Sequence, residues 1–334
     1  MTTTPDTIPV AAAVVAGVPI DAVSTEQALT MIGEFVDEGR VSGRSFQVAT
    51  VNVDFVVNAK HNADVLDIMQ RSELNIADGM PVVWGARLMA VEMPERVTGA
   101  DLVPRLVERS RTTGWKILLF GSAEGVAEQA ADVLLKRSPG ADVLGISGPM
   151  LKDVRDMESR WFDAISEFGP DIICVALGNP KQERWIAAHR DRLGASVLIG
   201  VGGTLDFLVG GRRRAPHWMQ RAGLEWIYRA LQEPKRLGKR YFHDGIVFGP
   251  IMLRTLWQRR RAGTPSADGR VQFDSDGSVA VNGPLSFAEA ADLVGVARRA
   301  RRLGTSTALR ITDARAATML DRLHVPALFE GLQQ

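Results

Sequence analysis

The stretch of sequence that determines the fold class is DIICVALGNPKQERWI, residues 171–186. Residues 171–177 form an almost continuous apolar run, which is typical of a strand buried on both faces. The turn at 178–180 contains glycine and proline, and the residues after it have helical spacing, with Trp185 and Ile186 on the apolar side. A buried strand that leads through a glycine turn into a helix predicts an α/β fold with a parallel sheet.

The same order of elements occurs elsewhere in the chain. An apolar run at 116–120 precedes a turn with Gly121, and another at 196–201 precedes Gly202-Gly203. We therefore predict a Rossmann-like, mostly parallel sheet flanked by helices. The predicted strands are 46–51, 116–120, 171–177 and 196–201, and the predicted helices are 54–69, 101–111, 126–136 and one that begins near Pro81.

The glycine turns are candidate ligand-binding loops. The carboxyl ends of parallel strands lie at one edge of a sheet, where open α/β folds bind ligands. Glycine lets the backbone approach a phosphate, and the following helix offers N–H groups to negative charge. Neither a dinucleotide-binding fingerprint nor a P-loop is present, so each turn is equally consistent with a simple tight connection. The candidate binding residues are Gly121, Gly178, Asn179, Gly202 and Gly203.

The composition excludes several classes of protein. The chain has 334 residues, 46% hydrophobic and 24% charged, which excludes a disordered chain, collagen and a coiled coil. No apolar stretch reaches the roughly 18 residues that a membrane span needs. The apolar segment at 10–20 lacks the basic flank of a secretory signal. The single cysteine, Cys174, forms no internal disulfide, so we expect a cytoplasmic protein stabilised by packing.

Positive charge is concentrated in residues 212–261. This segment contains 13 Lys and Arg against three acidic residues, a net charge of +10, whereas the whole chain has +1. Bulky apolar residues are interleaved with the basic ones, which suits an anionic membrane surface or a phosphate-bearing ligand. The mixture disfavours nucleic acid as a partner, since an exposed polar stripe is missing. A solvated face on a core helix explains the charge equally well.

The sequence gives little support for a metal site. The five histidines are scattered without ligand spacing, and Cys174 lies inside a predicted strand. Asp274 and Asp276 form an Asp-x-Asp pair of the kind that holds a divalent ion in many sugar-nucleotide transferases. Here the pair lies between two short apolar runs and is followed by Gly277, so a hairpin turn is the favoured interpretation. We therefore predict no metal ligands.

Several blocks of sequence together resemble the WecG/TagA/CpsF glycosyltransferases, family 26. They occur in the family's order over about residues 18–241. The blocks are Thr50-Val51-Asn52, Asn75-Ile76-Ala77-Asp78-Gly79-Met80-Pro81, Arg96-Val97-Thr98-Gly99, Leu177-Gly178-Asn179-Pro180-Lys181-Gln182-Glu183, Gly200-Val201-Gly202-Gly203 with Asp206-Phe207, Arg214-Ala215-Pro216, Gly223-Leu224-Glu225-Trp226 and Glu233-Pro234-Lys235-Arg236.

This resemblance implies an inverting hexosyltransferase that uses a UDP-sugar as donor substrate and needs neither a cofactor nor an obligatory metal. The transferred sugar would be N-acetylmannosamine, its uronic acid or glucose, and the acceptor a polyprenyl-diphosphate-linked sugar of surface polysaccharide or teichoic acid synthesis. Such an enzyme would lie in the cytoplasm, peripherally at the inner face of the cell membrane. Binding to a protein partner and assembly into a homo-oligomer are both consistent with the sequence.

The resemblance also implies roles for polar residues near the strand ends. Asp78 matches the family's catalytic aspartate, which would take the proton from the acceptor hydroxyl on a rigid turn at the pocket mouth. Thr50 and Asn52 match residues near the sugar and could hydrogen-bond to its hydroxyl or acetamido groups. From the residues alone, a turn or capping aspartate is the favoured interpretation of Asp78, and Thr50 and Asn52 are also consistent with caps of the next helix.

Other implied site residues carry charge or amide groups. Arg96 would bind a phosphate or the sugar, and Gln182 would orient donor or acceptor, although both are also consistent with surface positions beside a helix start. Arg229, Arg236 and either Arg240 or Lys239 match arginines thought to fold over the active site at the membrane and to stabilise the departing UDP. On a continuous helix Arg229 and Arg236 would share a face, but Pro234 makes a break plausible.

The domain organisation follows from these segments. We predict an α/β catalytic core at 1–211, a basic amphipathic helical appendage at 212–261, a linker at 262–270 and a small α/β module at 271–334. The last module weakly resembles the second half of a STAS domain, and at its size it is expected to dock on the core or on a partner.

A second class of function is also consistent with the sequence. In it the protein binds a nucleotide sugar for sensing and signals through the tail module.

Overall fold

The computed structural model describes residues 12–89, 91–148, 153–155, 157–211, 214–221, 223–261, 271–273, 278–283, 285, 287–303 and 307–330. The predicted turn at Asp274 and Asp276 and the linker at 262–270 lie outside these residues.

The core is an α/β unit with one eight-stranded sheet, as predicted. The strand order is β1-β2-β4-β3-β8-β7-β5-β6, and every neighbouring pair is parallel except β1 with β2. The strands are β1 Ala12–Val15, β2 Val18–Asp21, β3 Phe46–Val51, β4 Leu74–Ala77, β5 Lys116–Gly121, β6 Asp142–Ile146, β7 Ile172–Ala176 and β8 Val197–Gly200. The sequence analysis missed the β1–β2 hairpin, β4 and β6, since these strands are short or lie at the sheet's edges.

Helices cover both faces of this sheet. Alternate residues of β5 show the two layers, since Ile117 and Leu119 pack into one buried cluster and Leu118 and Phe120 into another. The helices are α1 Thr25–Ser42, α2 Val53–His61, α3 Ala63–Arg71, α4 Met80–Leu88, α5 Gly99–Thr113, α6 Val126–Arg137, α7 Ser159–Phe168, α8 Lys181–His189 and α9 Thr204–Leu208, with a 3-10 turn at Arg190–Arg192.

The prediction of one helix at 54–69 was wrong. Asn62 adopts an extended conformation, with φ −132° and ψ 106°, and separates α2 from α3. Its backbone N–H closes α2 on the carbonyl of Asn58, while its own carbonyl accepts the N–H of Leu66 in the first turn of α3. Asparagine favours such junctions, since its side chain competes for backbone hydrogen bonds.

The segment after α9 forms helices against the carboxyl edge of the sheet. They are α10 His217–Arg221, α11 Glu225–Gln232 and α12 Lys239–Arg261, with a π-helical turn at Pro234–Gly238. The α11 helix ends at Gln232, so Arg229 and Arg236 do not lie on one continuous helix. Phe248 of α12 is buried in the cluster around α2 and α4, which attaches this appendage to the core.

The tail packs beside β1, the outermost strand at one side of the sheet. A small sheet in the order β11-β10-β9 has β10 antiparallel to β9 and parallel to β11. Val14 of β1 belongs to the same buried cluster as the tail helices, and Arg298 forms an ion pair with Asp21 of β2. The elements are β9 Val271–Phe273, β10 Val279–Val281, α13 Phe287–Leu303, β11 Leu309–Ile311, α14 Ala314–Arg322 and α15 Val325–Glu330.

Candidate active site

A cavity of about 620 Å³ lies at the carboxyl edge of the parallel strands. Its floor comes from the residues that follow β3, β4, β5, β7 and β8, and its other wall comes from α11, α12 and the segment before them. Because the sheet order places β3, β8 and β7 side by side, the turns after these strands necessarily meet at one place.

The cavity brings together eleven of the thirteen predicted site residues. They are Thr50, Asn52, Asp78, Arg96, Gly178, Asn179, Gln182, Gly202, Gly203, Arg229 and Arg240. Gly121 is not part of the lining. Its φ is +102° and a Cβ there would lie 3.0 Å from the carbonyl oxygen of Ala176, so glycine serves close packing, and the next residue, Ser122, reaches the cavity. The side chain of Arg236 lies outside the described part of the structure.

Asp78 is held directly after β4. Its backbone N–H donates to the carbonyl of Val51, 2.8 Å away, which fixes it beside the end of β3. The capping alternative is not observed, since the N-cap residue of α4 is Gly79 and no side chain caps the helix. Asp78 is half-buried within the cavity.

The pKa of Asp78 is raised to about 6. Burial is the largest cause, and the charge of Glu225 adds to it. The positive charges of Arg229 and Arg96, and a hydrogen bond from the Asn52 amide, favour the ionised form and limit the shift. A carboxyl group with this pKa is ionised at neutral pH and is still basic enough to accept a proton.

Thr50 and Asn52 organise the end of β3. The Thr50 hydroxyl donates to the carbonyl of Gly200 at 2.7 Å and so ties β3 to β8. The side-chain oxygen of Asn52 accepts the N–H of Asp54 at 3.0 Å, which is the capping role considered above. Since the Asn52 amide also bonds to Asp78, this one side chain joins the start of α2 to the carboxyl group.

Arg96 is not a surface residue. Its Nη1 lies 2.7 Å from Oε2 of Glu225 in α11, and both side chains are largely buried. Arg214, from the segment before α10, lies on the same carboxylate at 3.8 Å and pairs with both oxygens of Asp101 at 2.7 and 3.0 Å. These pairs connect the appendage to the core around Asp78.

The arginines of the appendage are differently supported. The guanidinium of Arg229 stacks over the Phe207 ring, 5.1 Å from its centroid. Arg240 lies 3.9 Å from Asp54, and its charge also lowers the pKa of Asp244. That pKa is nevertheless raised to about 6, mainly by burial and secondly by the charge of Asp54. The appendage wall of the cavity therefore carries positive groups on two helices, Arg229 on α11 and Arg240 on α12.

Gln182 joins two glycine turns. Its side-chain oxygen accepts the N–H of Gly202 at 2.9 Å and the N–H of Gly178 at 3.2 Å, and it is 1% exposed. Asn179 donates to Asp54 at 2.9 Å and so connects the turn after β7 to α2. Gln182 thus holds the shape of the cavity floor.

Five charged residues of the cavity were not predicted as site residues. They are Asp54, Asp206, Arg214, Glu225 and Asp244. Three of them, Asp206, Arg214 and Glu225, stand in the sequence blocks that resemble the family, which was the available signal. No comparable signal marks Asp54 and Asp244, because their proximity depends on how α12 packs on α2.

Two kinds of site are not found in the described residues. No group of three or more His, Cys, Asp and Glu side chains there is arranged to hold a metal ion. None of the described helices combines the length and the apolar character that a membrane crossing needs.

Comparison with known proteins agrees with this geometry. A family model described as "Glycosyl transferase WecG/TagA/CpsF family" matches residues 13–262. Two similar proteins, from Staphylococcus aureus strains MW2 and NCTC 8325, are named N-acetylglucosaminyldiphosphoundecaprenol N-acetyl-beta-D-mannosaminyltransferase. Each is 30% identical over 192 residues, which cover 58% of this chain and 74% of the relative.

Proposed function

Because this chain belongs to the WecG/TagA/CpsF family of glycosyltransferases, we propose that it transfers a sugar from a UDP donor to a polyprenyl-diphosphate-linked acceptor. Its activity as a hexosyltransferase follows from the family, which favours catalysis over the sensing alternative. The acceptor named for the relatives is N-acetylglucosaminyl-diphosphoundecaprenol, and the sugar they transfer is N-acetylmannosamine. We propose the same pair here.

The observation that carries the proposal is the position of Asp78. It lies in the cavity with a pKa of about 6, within the electrostatic influence of Arg96 from the core and Arg229 from the appendage. Proton acceptance and stabilisation of negative charge are the two requirements of inverting transfer without covalent catalysis. One cavity supplies both.

The reaction is proposed as a single displacement. The acceptor hydroxyl oxygen attacks the anomeric carbon of the donor, and Asp78 accepts the hydroxyl proton. The bond from this carbon to the diphosphate oxygen breaks, and UDP leaves with the electron pair. Arg229 and Arg240 would stabilise the charge on UDP in place of a divalent ion.

The appendage is proposed to contact an anionic membrane surface. Large apolar side chains that are exposed on it include Trp218, Leu231, Phe242, Ile246, Leu253 and Trp257. Exposed apolar and basic residues on helices suit the membrane interface, where each basic residue contributes on the order of 1 kcal/mol. The enzyme would then reach a diphosphate head group whose lipid chain stays in the bilayer.

A transfer assay tests the proposed reaction. The full chain is incubated with radiolabelled UDP-N-acetylmannosamine, UDP-N-acetylmannosaminuronic acid or UDP-glucose, and a short-chain polyprenyl diphosphate carrying N-acetylglucosamine. We expect labelled lipid from the first donor, with the same rate in EDTA as in Mn²⁺. Absence of labelled lipid with every donor would reject the function, and a strict Mn²⁺ requirement would reject the arginine mechanism.

A vesicle assay tests the membrane contact. Replacing Phe242, Ile246 and Leu253 by serine is expected to abolish sedimentation with phosphatidylglycerol vesicles and to leave transfer to a water-soluble acceptor intact. Val41→Ser is the matched control, since Val41 is 91% exposed but lies on α1 of the core. Equal sedimentation of the triple variant and the wild type would contradict the proposal.

A further inference from the structure

Glu183 is a buried acid that the proposed reaction does not use. It lies on α8 next to Gln182, is 1% exposed, and is not among the residues that line the cavity. Neither of its carboxyl oxygens has a hydrogen-bond partner of good geometry within the described part of the chain. A buried polar group left in this state costs free energy and calls for a physical explanation.

Glu183 and Gln182 pack against the same glycine. A Cβ on Gly200 would lie 2.6 Å from Nε2 of Gln182 and 2.8 Å from Oε1 of Glu183. Gly200 also accepts the hydroxyl of Thr50 through its carbonyl. The end of β8 therefore contacts three polar side chains, and those of Gln182 and Glu183 would have to shift to admit any residue larger than glycine at position 200.

The orientation of the Gln182 amide matters for the cavity. Its oxygen must face the N–H groups of Gly178 and Gly202, since an amide nitrogen there would place donor against donor. In this orientation the amide nitrogen points to the side of Gly200, where the carboxyl of Glu183 is found. A hydrogen-bond acceptor on that side favours the observed orientation and disfavours the flipped one.

Glu183 is mainly protonated at neutral pH. Burial raises its pKa to about 8, and the charge of Asp54 on α2 adds to the shift, while the Gln182 side chain opposes it. Other charged groups on or beside α8 are Lys181, Arg184, which forms an exposed ion pair with Asp64 of α3 at 2.6 Å, and Arg190, which pairs with Glu73. The environment therefore selects the neutral acid, which keeps an acceptor oxygen without a buried charge.

We propose that Glu183 is a positioning residue for the proposed transfer reaction: its carboxyl group orients the Gln182 amide, and Gln182 in turn fixes the two glycine turns of the cavity floor. This role rests on the proposed function only for its effect on catalysis. The effect on the glycine turns is independent of which sugar is transferred.

The test compares two substitutions. Glu183→Gln keeps a neutral acceptor oxygen and is expected to retain most of kcat/KM. Glu183→Leu removes the acceptor at similar volume and is expected to lower kcat/KM by up to about 100-fold, because a misplacement of about 1 Å near the reacting groups has an effect of this size. Melting temperatures and circular dichroism report whether each variant folds.

Amide hydrogen exchange gives a readout that does not need substrate. In Glu183→Leu the backbone N–H groups of Gly178 and Gly202 are expected to exchange faster than in the wild type, whereas those of β5 are expected to stay protected. If the wild type and both variants show no transfer but amide exchange at the two glycines still changes as expected, the proposed reaction is wrong and the positioning role stands. Unchanged exchange at both glycines in Glu183→Leu would overturn the role itself.

The pH dependence separates the neutral from the charged form. The wild type is expected to lose kcat/KM as the pH rises through about 8, because an unpaired buried carboxylate would disturb the packing around Gln182 and Gly200, and Glu183→Gln is expected to keep its activity there. An inactive but folded Glu183→Gln would show that the carboxyl group itself is required, and not only a neutral acceptor oxygen, and would overturn the proposal. The same alkaline loss in Glu183→Gln as in the wild type would overturn it equally.

Discussion

The two walls of the cavity are built in different ways. The core wall consists of strand ends whose polar side chains bond to backbone groups, as Thr50 does to Gly200 and Gln182 does to two glycine turns. The appendage wall contributes Arg229 and Arg240, which are held by a ring contact and a long ion pair, on helices that expose apolar residues to solvent. The core wall is fixed by the sheet, whereas the appendage wall depends on side-chain contacts.

This difference indicates a division of labour. Proton acceptance needs a carboxyl group in a constant environment, and Asp78 has one because the ends of β3 and β4 hold it. Stabilising a leaving diphosphate needs positive charge only while the donor is bound. In the proposed mechanism, an appendage that contacts the membrane would supply that charge when the lipid acceptor is also bound.

The largest expected effect comes from the core wall. Asp78→Asn should lower kcat by about 10²–10⁴-fold, because general-base catalysis contributes this much and an amide does not accept the proton. UDP affinity, measured by calorimetry, should be unchanged or tighter, since one negative charge is removed. The matched control is Asp244→Asn, because the pKa of Asp244 is also about 6 and it also lines the cavity. If Asp244→Asn lowered kcat more than Asp78→Asn, the proton acceptor would be Asp244 on the appendage wall and not Asp78 on the core wall.

The next effect comes from the appendage wall. Arg229→Ala should lower kcat by about 100-fold, the order found when one group that stabilises transition-state charge is removed. Arg105→Ala is the control, since Arg105 pairs with Glu26 on an exposed face of the core. Steady-state kinetics at fixed ionic strength measure both variants. Equal activity of Arg229→Ala and the wild type would mean that the leaving group is stabilised by the core alone.

A smaller effect is expected from pH. Since Asp78 must be ionised to accept a proton, kcat/KM should rise as the pH increases through about 6 and reach a maximum before the alkaline loss expected from Glu183 near pH 8. Asp244→Asn should keep this rise of kcat/KM near pH 6, because the rise is caused by ionisation of Asp78. Disappearance of the rise in Asp244→Asn would assign it to Asp244.

The smallest effect on activity is expected from the contact between tail and core. Arg298→Ala leaves Asp21 buried without its partner and should lower the free energy of unfolding by about 3 kcal/mol. The cavity lies at other strand ends, so kcat should change less than twofold. Urea unfolding and the transfer assay measure the two quantities. Full stability in this variant would mean that the tail does not stabilise the core through β2.

Much of the core wall was predictable because its signals are local. An apolar run followed by a glycine turn reports a buried strand and the place where it ends, so residues 178–180 and 202–203 were identified directly. Asp78, Asn52 and Gln182 were found through the resemblance of short blocks. The hairpin of β1 and β2 and the edge strand β6 were missed because short edge strands lack a distinctive pattern.

The appendage wall was predictable in composition and, through the resemblance, in its arginines Arg229 and Arg240. The basic charge of 212–261 was visible in the sequence, but its partners were not. Arg96 and Glu225 are 129 positions apart, and nothing in either local sequence indicates that they form an ion pair. The break after Gln232 was open in the sequence because proline permits both a kink and a new helical segment.

The sequence by itself determined the fold class, the family and the chemical types of the residues at the strand ends, because hydrophobic period and turn residues act over a few positions. Only the tertiary structure decided that Glu225 neutralises Arg96, that Gln182 and the buried Glu183 meet at Gly200, and that the tail packs on β1. These contacts join residues far apart in the chain, and their distances depend on how the sheet and helices pack together. The pKa of Asp78 belongs to the same group, since burial and neighbouring charges exist only in the folded protein.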